Sequence, residues 1–213
     1  MKNDLKAIFA LITTYTIGNF LLLFNRGKYW DGWDLITALQ EKKYGLLQEI
    51  YVIEFQRYAE YYLLRILGLT SNPLLVSKFL AFACWLLAGL FIYGILRKKF
   101  SLPIKKAFFL SSFFSLIPIY LVKIDLAFAH YFVNNMLFFG AIFLYFLVEK
   151  NRGVFIRYTG LFFSWIIFFI SFNTESLLVF YGGFLVILFW NHRKELINKP
   201  LFSSIISWLK KDY

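Results

Sequence analysis

The chain has 213 residues, 60% of them hydrophobic and 23% aromatic, and its mean hydropathy is +0.64. A water-soluble domain of this length could not hide so much apolar surface, so the composition excludes a soluble globule and selects a bilayer as solvent. A formal charge of +11 would suggest nucleic acid in a soluble protein; here its placement along the chain reports membrane topology, and no nucleic-acid partner is expected.

A transmembrane helix takes about 20 mostly apolar residues. On that measure six spans are expected, at about 5–24, 73–96, 107–122, 126–148, 154–172 and 175–191. The expected fold is therefore all-α: one polytopic transmembrane domain over 1–213, multi-pass in a plasma or inner membrane. The first span reads as a retained anchor, because its apolar run is long for a signal peptide and no small-x-small cleavage site precedes Tyr29.

Directly after it comes Tyr29-Trp30-Asp31-Gly32-Trp33-Asp34. On a helix, Asp31 and Asp34 would share a face; in a turn around Gly32 they would converge on one cation or substrate. Carboxylates beside indoles suit sugar chemistry, since an indole stacks on a sugar ring and a carboxylate takes a hydroxyl proton. Structural roles are the alternative. Asp34 would cap the short helix begun by Leu35-Ile36-Thr37, and Trp30 and Trp33 would anchor in the aromatic belt. Asp31 admits both readings.

The remainder of the 25–72 loop carries a stripe. Leu47, Tyr51, Phe55, Tyr58, Tyr62, Ile66 and Leu69 recur every three or four residues, which predicts one helix with Glu54, Gln56, Arg57 and Glu60 facing away. Its tyrosines suit a helix lying along the lipid headgroups. The alternative is packing on the protein's own bundle. Gly68 and Thr70-Ser71-Asn72-Pro73 then close this helix and open the second span.

Cys84, within the second span, has no partner cysteine and reads as a packing residue. Pro103 interrupts the segment 97–106, and Pro118 is expected to kink the third span. Lys123 and Asp125 precede the fourth span, which contains His130, Asn134 and Asn135. His130 and Asn134 share a helix face and Asn135 is rotated away. Such groups in a membrane line a cavity or contact a partner, and for His130 both an interhelical hydrogen bond and a site role stand open. Glu175 reads as a helix-start carboxylate. Residues 200–213, within a cytoplasmic tail of about 192–213, form either an interfacial tail or the approach to a further span, in which case the chain is truncated.

With the N-terminus cytoplasmic, the inner segments 1–6, 97–106, 149–157 and 192–213 hold 15 of the 23 basic residues. This is the positive-inside pattern, and it places the loop bearing Asp31 outside. The sequence carries no phosphate-binding or dinucleotide glycine motif, no His-Glu-x-x-His and no nucleophile elbow. A reaction would therefore draw on a lipid-borne or externally supplied substrate.

This layout resembles the N-terminal half of the GT-C glycosyltransferases, the polyprenyl-phosphate-sugar-dependent enzymes that include protein mannosyltransferase and lipid A aminoarabinose transferase types. The features that carry it, over about 5–191, are an N-in first helix, a long outer loop opening on Trp30-Asp31-Gly32-Trp33, membrane-parallel helices, and a second outer turn with Asp125. The resemblance implies that Asp31 is catalytic and that Asp34, Trp30, Trp33, Lys123, Asp125 and His130 bind substrate. The donor would be a polyprenyl-phosphate-linked sugar on the non-cytoplasmic face. Lys123, Arg26, Lys28 or a divalent cation would stabilise the leaving phosphate, and no protein metal ligands are assigned. Many members have Asp-Glu or Asp-Asp where this chain has Asp31-Gly32, together with more spans and a C-terminal soluble domain, so an incomplete or inactive relative is an open reading. So are a non-catalytic subunit of a larger membrane partner in envelope polysaccharide assembly and a transporter or flippase component, the latter hinted at by His130 and Asn134.

Overall fold

The computed structural model describes residues 2–24, 32–54, 57–117, 129–149 and 153–172, with Gly182, Gly183 and Val186 beyond them. The chain divides into two compact units, Met1–Asn173 and Thr174–Tyr213. Apart from those last three residues, the second unit, with the expected sixth span and the tail, lies outside the described residues.

The described residues form helices and no strand. Four helices are long and apolar enough to cross a membrane: α1 (Lys2–Phe24), α5 (Pro73–Lys98), α7 (Ala129–Val148) and α8 (Val154–Ser171). They match four of the six expected spans closely. The start of α5 follows from its sequence: Asn72 caps it by accepting from the Leu75 amide at 3.1 Å, and Pro73 occupies the first turn, where its missing N–H costs nothing. In the third expected span, α6 (Ile104–Leu116) has 13 residues. At about 1.5 Å per residue it rises roughly 20 Å, short of a hydrocarbon core of about 30 Å. Pro118 and the residues that would extend α6 lie outside the described residues.

The helix α5 is the hub, packed against α1, α6 and α7, with α8 on the far side of α7. In lipid, helices associate through close backbone approach and interhelical hydrogen bonds, and both are present. Gly94 of α5 faces Phe143 of α7 while Gly140 of α7 faces Phe91 of α5, and the two rings stack 5.7 Å apart. At Gly89 a methyl group would strike the Ser115 hydroxyl of α6. The Trp85 indole donates to the Ser115 carbonyl at 3.1 Å, the Tyr15 hydroxyl to the Phe82 carbonyl at 2.9 Å, and the Ser164 hydroxyl to the Ala141 carbonyl at 2.9 Å. Tyr15, Ala81, Cys84, Trp85 and Phe132 make an apolar layer across α1, α5 and α7. Cys84 is a packing residue there, as expected. Outward faces are apolar too: Phe155, Phe162 and Phe169 run down one exposed stripe of α8.

The two ends of the bundle differ in charge. At one end Arg97 meets Asp4 at 2.7 Å, Tyr93 donates to Asp4 at 3.2 Å, and Lys99 lies 3.5 Å from Glu149. These contacts gather the start of α1, the ends of α5 and α7, and the connection 99–103 between α5 and α6. The short helices between α1 and α5 occupy the opposite end.

Candidate functional site

Three short helices and a π-helical turn fill the segment between α1 and α5: α2 (Gly32–Gln40), α3 (Tyr44–Gln48), the turn Glu49–Glu54, and α4 (Tyr58–Gly68). They have a core of their own, built on Leu35, Ile36, Leu39, Leu47, Tyr51, Tyr61, Leu64 and Leu67, with Leu74 of α5 packed against it.

The expected single helix over 47–69 is corrected here. The chain passes through a π-helical turn and then a non-helical Arg57 (φ −97°, ψ 66°), so the helical phase does not carry over into α4. Leu47 and Tyr51 remain buried, but Tyr58, Tyr62, Ile66 and Leu69 are exposed, and Glu60, Tyr61, Leu64 and Leu67 face inward. Glu60, expected on the solvent side, is 6% exposed. Phe55 and Gln56 lie outside the described residues. The tyrosine stripe of α4 thus points away from the protein, as a helix lying along lipid headgroups requires. The opposite face of α4 is the one that packs inward, against the small core and Leu74 of α5.

Turning Glu60 inward places its carboxylate against α7. The His130 Nδ1 lies 2.9 Å from Glu60 Oε1, within ion-pair distance, both side chains being buried. The other oxygen, Oε2, is buried without a hydrogen bond, 3.7 Å from the Arg57 guanidinium. His130 therefore has a close contact on another helix, and its partner comes from α4 of the segment between α1 and α5. A buried carboxylate with one oxygen engaged and one unbonded has two uses: it fastens α4 to α7, and it can accept a hydrogen bond from a ligand hydroxyl. Asn134 and Asn135 are both buried on α7, and the Asn135 amide donates to the Tyr131 carbonyl at 2.8 Å, satisfying itself on its own helix.

Asp34 is the third residue of α2 and exposed. It lies inside the first turn, where the helix dipole favours a carboxylate, and does not take the cap position, because the helix starts at Gly32. Trp33 is exposed, and its carbonyl accepts the Thr37 hydroxyl at 2.9 Å. Trp30, Asp31, Lys123 and Asp125 lie outside the described residues, as do Arg26, Lys28 and Glu175. Among the described residues no group of three or more His, Cys, Asp or Glu side chains is placed to hold a metal ion.

Two buried polar groups at this end were not among the expected site residues. Glu60 was masked by the stronger tyrosine stripe, although Tyr61, Leu64 and Leu67 spell a competing apolar face. Lys78 is a lysine inside the apolar run of α5 and is 4% exposed; a charge in such a run is itself the signal. Comparison of the chain with protein-family models, curated protein sequences and solved structures finds no match. The reading of this end rests on its own residues.

Proposed function

We propose that the chain is a GT-C-like membrane glycosyltransferase that moves a sugar from a polyprenyl-phosphate donor to an acceptor hydroxyl on the non-cytoplasmic face. The observation that best supports this is the folded cover at one end of the bundle: helices α2–α4, with their own apolar core, fastened to α7 through Glu60 and His130. The opposite end carries Arg97, Lys98, Lys99, Lys105 and Lys106, so the positive-inside rule assigns the covered end to the outside. The exposed Tyr58, Tyr62 and Ile66 suit a cover lying in the headgroup layer, where a lipid-borne donor arrives.

In this reaction the acceptor oxygen attacks the anomeric carbon, its proton passes to Asp31, and the carbon–oxygen bond to the lipid phosphate breaks with its electron pair leaving on the phosphate. A cationic side chain or a divalent cation near the phosphate takes up that charge. Trp30, Trp33, Asp34, Lys123, Asp125 and His130 are the candidates for contacting donor and acceptor. Asp31→Asn tests the reading in proteoliposomes supplied with a polyprenyl-phosphate sugar. Transfer should fall about 10²- to 10⁴-fold, the usual worth of a general base, with the melting temperature unchanged. Full transfer by the variant, or joint loss of folding and transfer, would sink the role of Asp31. Silence of the variant, with a larger membrane protein co-purifying, would replace the enzyme reading by that of a subunit.

A further inference from the structure

The cover built from α2, α3, the π-helical turn and α4 is held to the bundle at two places, and the two holds differ in kind. On one side α2 and α4 pack on α5. Among the described residues of the small core, Leu74 is the one that comes from a membrane-length helix, and it lies directly beyond the junction of α4 with α5. On the other side the hold is polar. Glu60, in the first turn of α4, meets His130 of α7 at 2.9 Å, with the Arg57 guanidinium 3.7 Å from its second oxygen. Along α4, Glu60 and the last residue, Gly68, stand about 12 Å apart at 1.5 Å per residue.

The junction has the construction of a joint. The end of α4 closes on itself: the Leu69 amide donates to the Ile66 carbonyl at 3.1 Å, and the Thr70 amide and hydroxyl donate to the Leu67 carbonyl at 3.0 and 2.6 Å. The start of α5 is capped separately by the Asn72 side chain. Ser71 and Asn72 connect two helix ends that are each already satisfied, and such element-terminal positions absorb the backbone change of a hinge.

The far hold is suited to release. Desolvating a buried charged pair costs about as much as its attraction returns, and the closed state also leaves Glu60 Oε2 buried without a hydrogen bond. Lifting α4 from α7 returns the carboxylate and the imidazole to water at the membrane surface, where those bonds are made. An apolar contact in the same place would lose its burial on opening and would keep the cover shut. The cover retains its core as it moves, because the other residues of that core all come from within it.

We propose that Glu60 and His130 form a releasable latch, and that the cover swings on Ser71 and Asn72 to uncover the end of α7 when the pair parts. That the opening admits a lipid-borne substrate rests on the glycosyl-transfer reading; the movement itself does not.

Spin labels on cysteines replacing Ala59, exposed beside Glu60, and Lys105, exposed at the start of α6, report the distance from the cover to the opposite end of the bundle in lipid nanodiscs. Cys84 is buried and stays unlabelled. His130→Ala strands a carboxylate against α7 and should populate a second, longer distance. In Glu60→Met with His130→Leu that longer population should be about tenfold or more smaller than in His130→Ala, since parting two apolar side chains exposes both. Should either variant fail to fold, Glu60→Ala stands in for the first and Glu60→Leu with His130→Met for the second. A His130→Ala chain that keeps the parent's single distance, or an apolar pair that opens as far as His130→Ala, would overturn the proposal. Opening in a chain that transfers no sugar would uphold the latch and remove only its role in substrate entry.

Discussion

His130 on α7 and Glu60 on α4 meet at 2.9 Å with both side chains buried, joining a helix of the 25–72 segment to a membrane-length helix. A pair of this kind contributes little net stability compared with well-packed apolar side chains, yet breaking it is expensive, because the remaining partner stays buried. Its value lies in fixing how the cover sits.

The first prediction follows from that asymmetry. His130→Ala leaves the Glu60 carboxylate buried beside Arg57 alone and should destabilise the protein by about 3 kcal/mol, read from unfolding in detergent. The double variant Glu60→Met with His130→Leu should recover most of that loss. If the losses from Glu60→Ala and His130→Ala simply add in the double alanine variant, the two residues are not coupled and the fastening role fails.

Orientation gives the second. Cys84 is buried in the α1–α5–α7 layer and should not react with a polar maleimide, so the native chain is a silent background. A cysteine replacing exposed Lys42, beyond α2, should label from outside intact cells with a membrane-impermeant reagent. One replacing exposed Lys105, at the start of α6, should label only after the membrane is opened. The reverse pattern would invert the topology and remove the outer-face reading of the cover.

Hydropathy and charge were enough to find the long helices, because about 20 apolar residues in a row have one solution in lipid. The boundaries of α5 were legible for the same local reasons that form them, Asn72 as cap and Pro73 as first residue. The phase of α4 was not. A stripe read as one helix assumes a constant 100° per residue, and the π-helical turn before Arg57 breaks that assumption. The six described residues of that stripe therefore fall on two faces, and Glu60 changes from solvated to buried. Of the candidate site, His130 was found because a histidine in an apolar span stands out. Its partner could not be named, since the pairing depends on how α4 folds back over α7.

A third prediction concerns the close approach of α5 and α6. At Gly89 any side chain meets the Ser115 hydroxyl, and Ser115 also holds the Trp85 indole through its carbonyl. Gly89→Ala should cost about 1–3 kcal/mol, the usual penalty for overpacking. Adding Ser115→Gly removes the colliding atom and should restore much of the loss, since the Trp85 bond uses the backbone. A Gly89→Ala variant as stable as the parent would mean that α6 moves aside freely, and a loss without rescue would mean that the collision with Ser115 is not its cause.

The two faces of α4 make the last prediction. Leu64 is buried in the small core while Tyr62, two residues away, is 57% exposed. Leu64→Ala should destabilise by about 2–4 kcal/mol, as truncating a packed leucine does. Tyr62→Ser in detergent should stay within about 0.5 kcal/mol of the parent. In a bilayer the order of sensitivity reverses for position at the interface. With an environment-sensitive dye on a cysteine replacing Leu69, emission should be blue-shifted in the parent and move to the red when Tyr58, Tyr62 and Ile66 are all changed to serine, because the stripe would no longer hold the helix among the headgroups. If Tyr62→Ser costs as much as Leu64→Ala in detergent, the stripe packs on protein and the membrane-surface role of α4 falls. A dye indifferent to the triple change would show that the cover stands clear of the lipid, leaving a lipid-borne substrate without its landing surface.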